Sequence, residues 1–159
     1  MSNLRVLFFG GSGIISSAST RLAVELGIDL TLLNRGQSDI RPAPAGVELL
    51  RADVRDPSAV RRVLGDREFD SVVDWVAFTP DHVRADIDLF SGRTRQFVFI
   101  SSASAYQTPP ERVPVVESTP LRNPHWQYSR DKIACEDLLV TAYRERGFPA
   151  TIVRPSHTY

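Results

Sequence analysis

The sequence predicts a doubly wound α/β fold, in which a parallel sheet is covered by helices on both faces. Short apolar runs typical of buried strands alternate with helical segments along the whole chain. These runs are apolar on both faces, as a sheet covered on both sides requires. Because right-handed crossovers bring the C-terminal ends of such strands to one edge, we expect the ligand-binding residues directly after strands.

The first strand and helix are indicated most clearly. Leu4–Phe9 is an apolar run broken only by Arg5, and Gly10 and Gly11 follow it at once, which indicates a buried strand and a tight turn. Helical character over Ile14–Leu26 then ends at Gly27, a residue type that commonly terminates helices.

The remaining elements continue the alternation. The further predicted strands are Asp29–Asn34, Val47–Ala52, Ser71–Phe78, Gln96–Ser101 and Ala150–Val153. The further predicted helices are Pro57–Leu64 with Asp56 as its cap, a segment opened by Thr79 and Pro80 that ends near Gly92, and a long helix from about Gln127 to Arg146. Five prolines among polar residues predict one long surface loop over Thr108–Pro124.

Length and composition exclude several classes of protein. A chain of 159 residues fits a single domain, and its 19 basic and 19 acidic side chains cancel. We therefore expect neither nucleic acid nor a membrane surface as a partner. The sequence has no apolar stretch long enough to span a bilayer and no signal-peptide pattern at its start. The single cysteine, Cys135, excludes an internal disulfide and suits a reducing cytoplasm.

A glycine-rich turn, Gly10-Gly11-Ser12-Gly13, lies between the first strand and the first helix. Glycines let the backbone approach a pyrophosphate closely, and the helix N-terminus supplies free N–H groups and a positive dipole end. In this context the turn predicts a dinucleotide site of the Rossmann type. The alternative is an ordinary strand–helix turn.

The pattern Gly10-x-x-Gly13-x-x-Ser16 resembles the G-x-x-G-x-x-G turn of the extended short-chain dehydrogenase/reductases, which include the NAD-dependent epimerases and dehydratases of nucleotide sugars. The third glycine of the family, which allows close helix–strand packing, is Ser16 here. The resemblance implies that the cofactor pyrophosphate lies against Gly10, Gly13, Ile14 and Ile15.

Three further strand ends extend the resemblance to the rest of the cofactor. It implies that Asp53, with Val54 beside it, contacts the adenine, although Asp53 as a plain helix cap is the alternative. It also implies that Ala77 packs beside the cofactor, unless Ala77 is simply a core residue. At the end of the second strand, Asn34-Arg35-Gly36 lacks the acid of NAD-preferring sites, and Arg35 can pair with a 2′-phosphate. This favours NADP over NAD, the alternative being that Arg35 is a solvated surface residue.

Tyr128 and Lys132 stand at positions i and i+4 of the long predicted helix and therefore share one face. A free tyrosine is a poor base at neutral pH, because its pKa is about 10. A nearby ammonium favours the phenolate, so we expect Lys132 to lower the pKa of Tyr128. Lys132 can also hold the nicotinamide ribose by hydrogen bonds.

Two more segments match the same family. Ser101-Ser102-Ala103-Ser104-Ala105-Tyr106 resembles its S-S-x-x-x-Y strand end, and Ser102, four residues before Tyr106, matches the catalytic serine. Arg154–Tyr159 resembles the R-P-x-x-x-Y segment, whose backbone, including Pro155, lies beside the nicotinamide. The three histidines lack metal-ligand spacing and are interpreted as structural or surface residues.

The resemblance implies an NAD(P)-dependent epimerase/dehydratase-type oxidoreductase, with Ser102, Tyr128 and Lys132 as catalytic residues, a nucleotide sugar as substrate and a homodimeric state. An NADP-dependent ketone or alcohol reductase acting on a non-sugar substrate and a catalytically silent NADP-binding module are the alternatives. In the family a helical C-terminal lobe follows this segment and closes over the substrate. We therefore expect these residues to be the N-terminal part of a longer protein, without that lobe.

Overall fold

The computed structural model describes residues 4–36 and 41–156, and it is built on one six-stranded parallel sheet. The strands are β1 (Arg5–Phe9), β2 (Asp29–Asn34), β3 (Glu48–Arg51), β4 (Ser71–Asp74), β5 (Phe97–Ile100) and β6 (Ala150–Val153). The helices are α1 (Ile14–Glu25), α2 (Pro57–Leu64), α3 (Pro80–Phe90) and α4 (Gln127–Arg146), with a short 3₁₀ helix at Ala103–Ala105. The strand order is β3-β2-β1-β4-β5-β6. This order is that of the Rossmann fold and confirms the predicted fold class.

Both faces of the central strands are buried, as the apolar runs predict. Successive residues of β1 point to opposite sides of the sheet, so Phe8 packs with Leu30 and Leu32 while Phe9 packs in a second cluster with Phe90. The edge strands differ from the expectation of two apolar faces. Most residues of β3 and every second residue of β6 are exposed, because an edge strand is only partly covered by neighbours.

The largest boundary difference lies at β4, which ends at Asp74 and not at Phe78 as predicted. The Asp74 carboxylate accepts hydrogen bonds from the backbone N–H groups of Val76 (2.6 Å) and Ala77 (2.7 Å). The side chain thereby folds the backbone into a turn and withdraws these donors from the sheet. The segment 75–78 becomes a loop at the C-terminal edge of the sheet. The other predicted boundaries are matched or differ by one or two residues at either end.

The strand order reverses direction between β1 and β4, which lie side by side in register from Val6 and Ser71 to Phe9 and Asp74. Chain connections leave this point toward opposite sides, so a crevice opens above the two strand ends. The glycine turn follows β1, and the loop 75–78 follows β4. The two segments are therefore the walls of the crevice.

Candidate active site

An open cleft of about 1320 Å³ follows the C-terminal edge of the sheet at this crevice. Its walls are the glycine turn, the start of α1 and the segments that follow β2, β3 and β4. Five arginines and a single carboxylate line the described part of the cleft: Arg21, Arg35, Arg41, Arg51, Arg55 and Asp53. The cleft is therefore suited to a ligand that carries several negative charges.

The glycine turn cannot carry side chains at its first two positions. Gly10 and Gly11 have positive φ angles of 101° and 96°, a backbone conformation that favours glycine. A Cβ atom on Gly11 would lie 2.6 Å from Cδ2 of Leu32, and one on Gly10 would lie 3.2 Å from Cγ1 of Val76. Gly11 is thus the position in the turn where a side chain is least tolerated. The family pattern G-x-x-G-x-x-G nevertheless includes Gly10 and Gly13 and not Gly11.

Ser16, which stands where the family has a third glycine, is accommodated as a helix cap. Its buried Oγ accepts a hydrogen bond of 2.9 Å from the N–H of Gly13. Helix α1 then begins at Ile14, and the N–H groups of Ile14 and Ile15 have no acceptor within the helix. Both residues and Gly13 line the cleft, so these donors and the positive helix end are available to a pyrophosphate.

At the opposite wall, Asp53 and Val54 line the cleft, as the resemblance implies. Asp53 does not cap α2, since Asp56 accepts the N–H groups of Ser58 (3.0 Å) and Ala59 (3.1 Å). Asp53 instead accepts the N–H of Arg55 at 2.9 Å and is exposed. Its carboxylate therefore lies at the cleft and does not cap a helix.

Ala77 lies in the hydrophobic core, and its neighbours Val76 and Phe78 line the cleft. The structure thus favours the alternative of core packing for the Ala77 side chain. Ala77 takes this position because the turn made by Asp74 redirects the chain after β4.

The guanidinium of Arg55 lies 5.6 Å from the Phe78 ring centroid, and its Nη2 donates to the Val76 carbonyl at 2.9 Å. Sequence reasoning missed both Arg55 and Phe78. The one available signal was their position near predicted strand ends, since Phe78 is the last residue of the predicted fourth strand and Arg55 follows the third.

The end of β2 carries no acid. Asn34 accepts the N–H of Gly36 through Oδ1 at 2.8 Å, and Arg35 is exposed at the cleft. Arg51, at the end of β3, packs beneath this turn, because a Cβ on Gly36 would lie 3.0 Å from its Nε. Arg41 lines the same part of the cleft. Sequence reasoning found Arg35 and missed the two other guanidinium groups.

Lys132 lies beyond the cleft, where α4 crosses the ends of β4 and β5. Its Nζ donates to the carbonyls of Ala77 (2.6 Å) and Ile100 (2.7 Å), and the residue is 1% exposed. The ammonium also lies 4.6 Å from the ring centroid of Phe99. Burial lowers the pKa of Lys132 to about 8, against the opposing charge of Asp74. Lys132 is therefore a largely protonated ammonium at neutral pH.

Tyr128 shares the α4 face of Lys132, as predicted, with the Lys132 ammonium 5.7 Å from its ring centroid. The expected lowering of its pKa is wrong for this structure. Burial raises the pKa of Tyr128, and only the Ser102 hydroxyl acts in the opposite direction. Lys132 is not among the groups that shift the pKa of Tyr128, and its ammonium donates to two backbone carbonyls. Trp126 also packs against Tyr128, at a distance of 4.8 Å between the ring centroids.

Ser102 belongs to a chain of three hydroxyl groups. Its Oγ lies 2.9 Å from Oγ of Ser104, which accepts a hydrogen bond of 2.8 Å from the buried Ser129. Ser129 directly follows Tyr128, so α4 positions the tyrosine and the far end of this chain together. Sequence reasoning missed Ser104 and Ser129, because their contact joins residues far apart in the chain.

The segment after β6 is anchored by an ion pair. Arg154 forms bidentate hydrogen bonds with the buried Glu136, the shortest at 2.6 Å, and donates to the Tyr106 hydroxyl at 3.0 Å. The carbonyl of Pro155 accepts the N–H of Ala103 at 2.9 Å. Pro155 therefore lies against the 3₁₀ helix that carries the serines. The residues from His157 to Tyr159 are outside the described part of the chain.

The remaining candidates have structural environments. His82 accepts the N–H groups of Phe78 (3.1 Å) and Thr79 (3.3 Å) at the start of α3, and burial together with Arg55 lowers its pKa. Cys135 is buried, which raises the pKa of its thiol to about 12. Across residues 4–36 and 41–156, no cluster of three or more His, Cys, Asp or Glu side chains is arranged to hold a metal ion. Over the same ranges, no helix is long and apolar enough to cross a membrane.

Comparison with known proteins gives consistent matches. The sequence profile described as the NAD dependent epimerase/dehydratase family matches residues 6–159. The chain is 29% identical to UDP-glucose 4-epimerase of Streptomyces lividans and 27% identical to that of Lactobacillus helveticus, over 94% and 95% of its length. It spans only about half of these relatives, 50% and 51%.

Solved structures share the fold. An epimerase from Methanothermobacter thermautotrophicus superposes with a TM-score of 0.82 at 19% identity, covering 96% of this chain and 51% of that one. UDP-glucose 4-epimerase from Bifidobacterium longum, in complex with NAD+ and UDP, superposes with a TM-score of 0.78 at 21% identity, covering 94% and 52%.

Proposed function

Because the chain belongs to the NAD-dependent epimerase/dehydratase family, we propose that the whole protein is an NAD(P)-dependent oxidoreductase of the epimerase/dehydratase type, acting on a nucleotide sugar. The observation that carries the proposal is the convergence of Ser102, Tyr128 and Lys132 at the sheet edge beside the cleft. These side chains come from the end of β5 and from α4: the Ser102 hydroxyl is a hydrogen-bonding neighbour of Tyr128, and the Lys132 ammonium lies 5.7 Å from the Tyr128 ring centroid.

The residues of the cleft fit a dinucleotide. The glycine turn leaves no room for side chains at Gly10 and Gly11, and the free N–H groups of Ile14 and Ile15 suit a pyrophosphate. Asp53 is free to accept a hydrogen bond from an adenine amino group. The nicotinamide ring, when bound, supplies the acceptor or donor of a hydride.

The chemistry that this chain contributes is proton transfer at a substrate hydroxyl. Tyr128 exchanges the proton, and Ser102 donates a hydrogen bond to the same substrate oxygen. Lys132 binds the ribose of the cofactor and keeps a positive charge beside the phenol. Burial raises the pKa of Tyr128, so the residue is a neutral phenol at neutral pH until a ligand changes its surroundings.

The substrate class is inferred from two sources. The relatives named above are UDP-glucose 4-epimerases, and the Bifidobacterium structure contains UDP. The arginine-rich cleft supports polyanionic ligands in general. A soluble cytoplasmic enzyme fits this chemistry, since nucleotide sugars and nicotinamide cofactors are small water-soluble anions.

The direct test uses the longer protein that contains the C-terminal lobe. Incubated with UDP-glucose or UDP-galactose, it is expected to interconvert the two sugars without net consumption of cofactor, as followed by NMR of the sugar and absorbance of the nicotinamide. Stoichiometric oxidation of NADPH with a ketone substrate would identify the reductase alternative instead. Cofactor binding with no turnover of any substrate would identify the silent binding module.

Cofactor preference is a second expected result. Arg35 is exposed at the end of β2, with Arg41 and Arg51 lining the same part of the cleft, and Asp53 is the only acid among the described residues that line it. One charge-assisted pair contributes about 1.5–3 kcal/mol, so NADP is expected to bind at least about tenfold more tightly than NAD. Titration of both cofactors should show this ratio falling in Arg35→Ala and unchanged in Arg62→Ala, an exposed arginine of α2 outside the cleft. Equal affinities for NAD and NADP would contradict the preference.

A further inference from the structure

Two acidic side chains are buried together beneath the end of β4. Asp74 is 2% exposed and Asp86, on α3, is 6% exposed, a rare environment for carboxyl groups. The Oδ2 atom of Asp86 is buried, and no hydrogen-bond donor of the described residues reaches it. The Asp74 carboxyl group is a hydrogen-bonding neighbour of Asp86. Two neighbouring ionised carboxylates in the interior would repel each other strongly.

The hydrogen bonds decide which acid is charged. Asp74 accepts two short bonds, from the N–H groups of Val76 and Ala77, and such bonds stabilise an ionised carboxylate. Asp86 has no comparable donors and is left with an unpartnered oxygen. An unpartnered acceptor becomes satisfied if it carries a proton and donates it to the neighbouring acid.

We propose that Asp86 is a neutral carboxylic acid that donates a hydrogen bond to ionised Asp74, and that the single negative charge of this pair keeps the Lys132 ammonium charged and positioned. The path is short. Asp74 holds the N–H of Ala77, and the carbonyl of the same residue accepts from Nζ of Lys132. Asp74 and Asp86 are therefore positioning residues that act on the site through Lys132.

Other charged groups lie around the pair and also affect the ionisation of Asp86 and Lys132. Asp74 contributes most among the charges that favour the ammonium of Lys132, and Glu136 contributes less. The Cys135 thiol beside them is uncharged at neutral pH, because burial raises its pKa to about 12. Arg55 faces Asp86 and favours its ionised form, while burial and Asp74 oppose ionisation and raise the pKa of Asp86 well above its usual range. Further titratable groups around these residues are Tyr128, His82, Asp81 and Asp131. Glu136 is already paired with Arg154, whereas Asp74 has no salt-bridge partner among the residues that the structure describes.

The chain offers a direct probe of this arrangement, since Lys132 is its only lysine. Lysine labelled with ¹³C and ¹⁵N therefore gives a single side-chain signal, and an NMR titration of this chain reads the pKa of Lys132 without cofactor or substrate. In the unmodified chain we expect a pKa of about 8. Asp74→Asn should lower it by about 1 or more, because the opposing charge is lost. Asp86→Asn should leave it within about 0.5, because Asn replaces a neutral acid.

The control is Asp88→Asn, an exposed acid on the same helix, which should leave the pKa of Lys132 unchanged. If Asp86→Asn lowers the pKa of Lys132 as far as Asp74→Asn does, Asp86 is ionised and the proposal is wrong. If Asp74→Asn leaves the pKa of Lys132 unchanged, the proposal is also wrong.

A second measurement covers the case in which Asp74→Asn does not fold. A carboxyl group whose pKa is raised on folding contributes stability that is complete below its unfolded pKa and is lost as the pH rises through the folded pKa. An Asn side chain does not titrate, so the Asp86→Asn variant does not lose this stability as the pH rises. The melting temperature of Asp86→Asn relative to the unmodified chain should therefore increase between pH 4 and pH 7, by at least about 2 °C.

A difference in melting temperature that does not change with pH would contradict a protonated Asp86. The inference rests on the proposed function only for the role given to Lys132. Because both measurements use the chain without ligands, their failure would leave the proposed reaction untouched, and an inactive enzyme would leave the carboxyl pair untouched.

Discussion

Replacement of Tyr128 by Phe in the whole protein proposed above is expected to lower turnover by roughly 10²–10⁴-fold, the usual contribution of general acid–base catalysis. The substitution removes only the phenol oxygen. The ring contacts with Phe78 and Trp126 remain, so the fold and the cofactor affinity should be preserved. Steady-state kinetics on the substrate, with a parallel cofactor titration, measure both effects.

The matched control for this result is Tyr143→Phe, since Tyr143 is an exposed tyrosine on the same helix. It should leave turnover unchanged. Ser102→Ala should lower the rate more than the binding, whereas Lys132→Met should weaken both. A Tyr128→Phe enzyme that works at a near-normal rate would show that the assigned proton transfer is wrong, and would favour a cofactor-binding module.

Replacement of Gly13 by Val is expected to weaken cofactor binding by at least about 100-fold, equivalent to ~2.7 kcal/mol. Gly13 has φ −74° and extended backbone, a conformation that any residue adopts, so the chain should still fold. The isopropyl group would occupy the cleft wall beside the N–H groups of Ile14 and Ile15. Calorimetric titration of NADP, with a thermal melt of the same sample, separates lost binding from lost structure.

A graded pair of variants strengthens this test. Gly13→Ala adds one carbon, 3.2 Å from Oγ of Ser16, and should have a smaller effect than Val. Gly11→Val should instead destabilise the fold, because any Cβ at Gly11 meets Leu32. A folded Gly13→Val chain with unchanged NADP affinity would place the dinucleotide elsewhere.

Much of the fold could be predicted because its signals are local. The apolar runs of β1, β2 and β6 and the helical spacing of α4 depend on residues within a few positions of each other. The i and i+4 spacing of Tyr128 and Lys132 and the position of Ser102 after β5 are local in the same sense. The end of β4 was missed because a side chain, Asp74, competes with the sheet for backbone donors.

The arginines of the cleft show which site residues the sequence could not predict. Arg35 was predictable from its position after β2, whereas Arg51 reaches the same part of the cleft only because β3 pairs with β2 at the edge of the sheet. No local pattern distinguishes Arg51 from other exposed arginines of the chain.

By itself the sequence determined the doubly wound sheet, the glycine turn and the positions of Ser102 after a strand and of Tyr128 and Lys132 on one helix face, whereas their catalytic roles stay a prediction that rests on the family resemblance. Only the tertiary structure decided the protonation of the site. The pKa of Tyr128 is raised and not lowered because folding buries its side chain. Burial and contacts between residues distant in sequence set these charges, and both arise only when the chain is folded.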